Sequence, residues 1–230
     1  MVSSGTLVTD TLIATVTGNA GRAGVIRPLR REEAKELTRR RLLRAALALL
    51  DEKGEAGLSA SAVSRAAGIA QSSFYVHFRD KHDLLTALGD EAVLYMRRVL
   101  REARRRSREE PTDQERLKAI FRLPLESIAR HPALFRLGLR ARHNRASPLG
   151  EATREFHAGY RRDLAEDLVM LGFAGASPVE RRRVEMIADG YIALTEALAE
   201  GHLDGRYPDI EEIVDVLTVF TLGPRSLLPD

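Results

Sequence analysis

The chain has 230 residues, 44 % of them hydrophobic and none of them cysteine, so it can bury a core without staples, and disulfides and thiolate metal sites are excluded. No apolar run approaches the roughly 18 residues of a membrane span, and the N-terminus lacks the basic, apolar and small-residue order of a signal peptide, so a cytoplasmic protein without a membrane partner is expected. The net charge of +3 is uneven: residues 1–85 hold 13 Lys and Arg against 9 Asp and Glu, the remainder 23 against 24, so the positive charge collects in the N-terminal third of the chain.

Residues 1–30 mix Gly, Ser and Thr with short apolar runs and read as a flexible arm, whose Arg22, Arg27 and Arg30, with Arg31 beyond, are able to enter a minor groove. From Arg31 to Lys53, Leu37, Leu42, Leu43, Ala46, Leu47, Leu49 and Leu50 recur at three- and four-residue steps, which predicts a first helix closed by Gly54. Its face with Thr38, Arg39, Arg40, Arg41 and Arg44 is positive, and Arg40 is a candidate phosphate contact. Ser59 then N-caps a short second helix with Ala62, Val63, Ala66 and Ala67 as its inner stripe, and Gly68 supplies the positive φ of a tight turn.

Gln71–Phe78 reads as the recognition helix of a helix-turn-helix. Phe74 and Phe78, four apart, face inward, which leaves Gln71, Ser72 and Ser73 in the first turn to meet base edges. Glutamine is able to bind adenine through two hydrogen bonds, and serine to serve several bases. Tyr75 and His77 point toward phosphates, and Lys81 clamps one more from the start of the next helix.

A long fourth helix starts near Lys81 with Leu84, Leu85, Leu88, Tyr95, Met96 and Leu100, and the charge run Arg101–Glu110 is expected on a solvated face or loop. Further helices are predicted at about 113–130, 132–142, 149–171, 178–200 and 209–222, with Pro124 kinking or splitting the first. The fold expected is thus all-α, about nine helices. A head over residues 31–80 carries the DNA site, and a body over 81–230 binds an effector and dimerises. Tyr95, Met96, Phe121, Leu125, Phe135 and Leu139 are candidate pocket residues. Met186, Gly190, Tyr191, Leu194, Ile213, Leu217 and Phe220 are candidates for a four-helix dimer interface.

The stretches LLRAALALLDEKG and LSASAVSRAAGIAQSSFYVHFRDKHDLL resemble the heads of TetR-type transcriptional repressors, with Tyr75-x-His77-Phe78 and Lys81 in the signature. The resemblance spans Arg39–Leu88 and implies DNA contacts from Ser59, Gln71, Ser72, Ser73, Tyr75, His77 and Lys81. Two departures stand out: Ala70 replaces the Ser or Thr that commonly caps the recognition helix, a cap worth about 1 kcal/mol, and Ser72 stands where many members have Gly. The segments AGIAxxSFYxHFRD and ALFRLGLRARHNRASPLGEATREF are most similar to the branch that represses fatty-acid synthesis and desaturase genes. That implies an acyl-CoA or related effector, with Arg140, Arg142, His143 and Arg145 as a seat for its phosphates.

The function expected is therefore a homodimeric, ligand-responsive repressor that binds a pseudopalindromic operator and needs no cofactor. Two other classes compete. An architectural DNA-binding protein would have a filled body, whereas a sensor would hold an apolar cavity of about 300 Å³ or more. An acyl-thioester enzyme is opposed by the lack of an HExxH pair, a phosphate-binding glycine loop, a GxSxG elbow and a cysteine nucleophile. None of the six histidines forms an i, i+4 metal pair.

Overall fold

A computed structural model describes residues 31–170, 172–173 and 177–223. The expectations for the arm, with Arg22, Arg27 and Arg30, lie outside the described residues. Among those described there are nine α-helices and no strand: α1 Arg31–Lys53, α2 Ala60–Ala67, α3 Gln71–His77, α4 Lys81–Ser107, α5 Asp113–Arg130, α6 Pro132–Ala141, α7 Pro148–Met170, α8 Pro178–Leu203 and α9 Ile210–Leu222. The all-α architecture expected from the periodicity is what forms.

The helix ends follow the local chemistry. Gly54 stops α1 at φ 65, and Gly68 ends α2 in the left-handed region at φ 66. Ser59 Oγ accepts the Ala62 N–H at 3.1 Å, satisfying one of the free donors that open α2. Asp80 Oδ1 does the same for Asp83 N–H at 2.8 Å and so starts α4. Ser177 and Glu180 form a capping box at α8.

One local expectation changes and two are narrowed. The inner face of α2 is Val63, Ser64 and Ala67, while Ala66 is exposed, because α1 meets the helix one position to the side of the stripe assumed. Pro124 is buried within α5, which it does not split. The charge run is helical as far as Ser107, and its arginines face acids: Arg105 pairs with Glu102 and Glu109, and Arg106 with Glu102. Ala103 and Ser107 turn inward on the same stretch, so up to Ser107 it is an amphipathic continuation of α4 with its charges on a solvated face, the first of the two alternatives.

The chain packs as two compact units. Unit 1 takes residues up to Glu91 together with Ala133–Gly150, and unit 2 takes Ala92–Pro132 with Glu151 onward. In unit 1, Leu42, Leu43, Leu50, Val63, Phe74 and Leu84 are at most 1 % exposed and form one core. In unit 2, α9 lies on α5 and α8, where Arg122 grips Glu211 through two bonds of 2.6 Å and Lys118 meets Asp215 at 2.6 Å. A second cluster joins Leu164, Leu168 and Phe173 to Val184, Ala188 and Tyr191.

Candidate nucleic-acid interface

Helix α3 is seven residues long and is held almost entirely by two rings. Phe74 is 0 % and Phe78 2 % exposed, with centroids 5.7 Å apart, so one face of the helix is fixed in the core of unit 1. The i, i+4 spacing then forces the opposite face outward. Gln71 and Ser72 are exposed, Ser73 is half-buried, and Tyr75 and Val76 are 57 % and 66 % exposed. Val76, read from the sequence as turned outward with Tyr75 and His77, is an apolar side chain on this exposed face and is suited to contact with an apolar group such as a thymine methyl.

The start of α3 has no side-chain cap, since Ala70 offers none. A tight turn substitutes in part, with Ser73 N–H donating to the Ala70 carbonyl at 3.0 Å. The donors of the first turn and the hydroxyls of Ser72 and Ser73 thus sit together at the solvent end of the helix.

The cations around α3 are mostly committed within unit 1. Arg39 pairs with Glu91 and lies 5.5 Å from the Phe78 ring centroid, Arg40 pairs with Glu36 at 2.8 Å, and Arg41 donates to the Ala67 carbonyl at 3.1 Å. Arg44 is half-buried, and burial followed by the nearby Arg41 lowers its pKa from the ordinary value. Thr38 bonds back to the Ala34 carbonyl at 2.9 Å. The positive face read from α1 is therefore in part a brace for the head, while Arg40, bonded to Glu36 through Nε alone, keeps the N–H groups of both Nη atoms for a phosphate.

Lys81 shows the same double character. Its Nζ donates to the Glu55 carbonyl at 2.6 Å, tying α4 to the short 3-10 turn Glu55–Gly57. Two ammonium protons remain for a phosphate. Ser59, used as a cap, likewise keeps its hydroxyl proton.

His77 is half-buried beside positive charge. Burial first, then Lys35 and Arg39, push its pKa below the ordinary 6.5, against a weaker opposite pull from Glu36. The ring is therefore neutral in the free protein at pH 7. A phosphate placed on it would raise that pKa, so binding would take up a proton.

The candidate effector residues fall in different units. Tyr95, Met96, Phe121 and Leu125 belong to unit 2, where Tyr95 Oη lies 2.6 Å from Ser127 Oγ and its ring meets His131 edge-on at 5.4 Å. Phe135, Leu139, Arg140, Arg142 and His143 belong to unit 1. There Arg140 donates to Asp51 Oδ1 at 2.5 Å and to the Asp51 carbonyl at 3.2 Å, so its guanidinium is occupied. Unit 2 also contains a cleft of about 310 Å³ that none of these residues lines. Its volume meets the expectation for a sensor, but its lining does not, since Arg97, Arg101 and Arg104 contribute to the wall. Sequence reading missed it because it arises where α4 faces α7, a pairing that no local period announces.

Of the seven dimer candidates, Met186 and Phe220 are 67 % and 56 % exposed and Gly190 is exposed, whereas Leu194 is half-buried. Tyr191, Ile213 and Leu217 are 5 %, 3 % and 0 % exposed and fill the chain's own core instead. Tyr191 is further fixed by its hydroxyl, which donates to the Phe220 carbonyl at 3.0 Å. The outward apolar residues of α9 are Val216, Val219, Phe220 and Leu222, because Ile213 and Leu217 point back at α5 and α8.

Comparison with known proteins locates this arrangement. Residues 42–88 match the profile of the bacterial regulatory proteins, tetR family. Across the chain, the fold is similar to the fatty acid degradation regulator FadR from Bacillus halodurans, with 20 % identity, a TM-score of 0.64, and 81 % of this chain and 95 % of that one covered. A TetR-like transcriptional regulator from Rhodococcus sp. RHA1 gives 20 % identity and a TM-score of 0.66 over 87 % and 98 %. FadR from Bacillus subtilis in complex with stearoyl-CoA gives 19 % and 0.60 over 79 % and 96 %. The exposed α3 held by Phe74 and Phe78 lies inside the matched stretch, so the helix-turn-helix head of this chain is similar to that of the tetR family of bacterial regulatory proteins.

Proposed function

We propose that the protein is a homodimeric, one-component transcriptional repressor that binds a pseudopalindromic operator in the cytoplasm and responds to an acyl-CoA or related acyl ligand. The observation that carries the reading is the outward face of α3, where Gln71, Ser72, Tyr75 and Val76 are exposed on a helix whose other face is immobilised. Ser59, Ser73, His77, Lys81 and Arg40 surround that face as further contacts. Tyr75 and His77 take phosphate oxygens, and Gln71 reads a base.

Removal of the Gln71 side chain by Gln71→Ala is expected to reduce discrimination at one base pair by about 1–3 kcal/mol, with other positions unchanged. Competition assays on single-base operator variants read this directly, and an unaltered preference would withdraw base reading from Gln71. Tyr75→Phe should weaken all sequences about equally. Lys81→Ala needs a stability measurement alongside, because it also frees the Glu55 carbonyl.

A pH test isolates His77. Since its free-state pKa is depressed, operator affinity should rise as the pH falls through the region just below 6.5. Each unit by which the bound pKa exceeds the free one contributes up to about tenfold. Titrations from pH 8 to 5.5 at fixed salt, for wild type and His77→Asn, should differ by this component; parallel curves would place His77 away from any phosphate.

Dimerisation is supported by the exposed apolar side chains of Met186, Val216, Val219 and Phe220 on α8 and α9. A monomeric mass by light scattering at micromolar concentration would refute it. The acyl effector is supported by the likeness to a regulator described with stearoyl-CoA and by the cleft in unit 2. Helix α4 supplies residues to both units, so a ligand on its second half has a continuous route to the head. Two heads must match major grooves about 34–36 Å apart, and a small change in α4 alters that fit.

A further inference from the structure

The cleft of unit 2 lies between the second half of α4 and the middle of α7, and three of its features lack a packing explanation. Arg97 and Arg101 are exposed, four residues apart on one helix face, and make no hydrogen bond or ion pair among the described residues. Like charges at that spacing repel. In the next turn the pattern is opposite: Arg104, Arg105 and Arg106 all face acids, and Asp163, the acid in the cleft wall, is held by Arg104 at 3.1 Å.

The second feature is Tyr160. Its ring stacks on Phe156 at 18° and 6.0 Å to form a flat apolar wall, while its hydroxyl has no hydrogen-bond partner among the described residues. Burial pushes that phenol up to about 12, so at neutral pH it keeps its proton and is a donor. Third, Gly159 sits within the continuous helix α7 on the same wall, where a Cβ would meet nothing within 4 Å. Glycine inside a helix is unfavourable relative to alanine. Close packing does not require it here; what its missing side chain leaves open is the floor of the cleft.

Two unneutralised guanidinium groups, a free hydroxyl donor and an apolar wall with Leu94 and Leu100 describe a receptor for an amphipathic anion. A volume of about 310 Å³ is too small for a whole acyl thioester and accommodates one end. We infer that Arg97, Arg101 and Tyr160 seat the anionic end of the acyl effector, carboxylate or phosphate, with the adjoining part of the ligand laid on Phe156 and over Gly159. This rests on the effector-responsive reading above, and it moves the charged subsite from Arg140, whose guanidinium is taken by Asp51, to α4.

The assignment is tested by calorimetric titration of the full chain with palmitoyl-CoA, palmitate and free coenzyme A. Wild type is compared with the Arg97→Gln/Arg101→Gln double variant and with Gly159→Leu, and thermal melts confirm that each is folded. Loss of two charge-assisted contacts should weaken palmitoyl-CoA by about tenfold or more in the double variant. Gly159→Leu, which leaves both arginines in place, should weaken it by obstruction. Equal weakening of palmitate identifies a carboxylate as the seated group, whereas weakening confined to palmitoyl-CoA and coenzyme A identifies a phosphate. If wild type binds an acyl probe and both variants bind it with the same affinity, the cleft assignment is wrong and the effector reading stands. If wild type binds neither acyl probe, the effector reading falls and the assignment with it.

Discussion

Phe74→Ala should lower the unfolding free energy of the protein by about 3–5 kcal/mol, the usual cost of emptying a fully buried phenylalanine site. The residue is 0 % exposed, packs with Phe78 at 5.7 Å and Tyr75 at 5.4 Å, and is the one fully buried side chain that α3 itself contributes. A seven-residue helix without a side-chain cap has little stability of its own, so the void cannot be closed by a small shift without moving the reading face. Urea unfolding followed by circular dichroism reads the loss. Tyr75→Ala, at a position 57 % exposed, should cost under about 1 kcal/mol and provides the contrast. Comparable losses for the two would mean that α3 is not anchored as described.

The second large effect is in unit 2. Arg104 donates to Asp167 at 2.6 Å and to Asp163 at 3.1 Å, and the Asp167 side chain is only 15 % exposed. The two partners shift in opposite senses. Burial opposes the Arg104 charge but its two acids outweigh that, whereas burial raises the Asp167 carboxyl in spite of Arg104. Asp167 is the more buried side of the pair, so its dependence on the guanidinium governs the energetics. Arg104→Met should therefore destabilise by about 2–3 kcal/mol at pH 7, less than for a fully buried pair. Because the Asp167 pKa is raised, the cost of its charge is felt above that pKa and relieved as the pH falls through it. Asp167→Leu added to Arg104→Met should recover most of the loss at pH 7. If the single variant is neutral, the pair is solvated and contributes little.

Much of the head was legible because its signals are local. Ser59 as cap, Gly68 at positive φ, and the inward pair Phe74 and Phe78 each follow from one residue's stereochemistry or from a four-residue step, and each is found as read. The arginines of α1 were misjudged for the converse reason. Glu91 and the Ala67 carbonyl, the partners of Arg39 and Arg41, lie 52 and 26 residues away, so part of a face that is open in sequence is committed to contacts within the fold. In the body the same limit decided which side of α9 faces out: Ile213 and Leu217 have the right hydrophobicity for an interface, but α5 and α8 already cover them. The cleft depends on α4 meeting α7, and its diagnostic features are residues lacking partners, which only coordinates reveal.

The central claim is that α3 reads DNA as one half of a symmetric pair. Selection from random duplexes by the purified full chain, with enriched sequences counted after several rounds, tests it most directly. The account predicts an inverted repeat whose half-site centres are one helical turn, about 10–10.5 base pairs, or a multiple of it apart. Binding to the selected duplex should also weaken steeply with salt. Recovery of no preferred sequence, or of a single unrepeated site bound with a flat salt response, would contradict it.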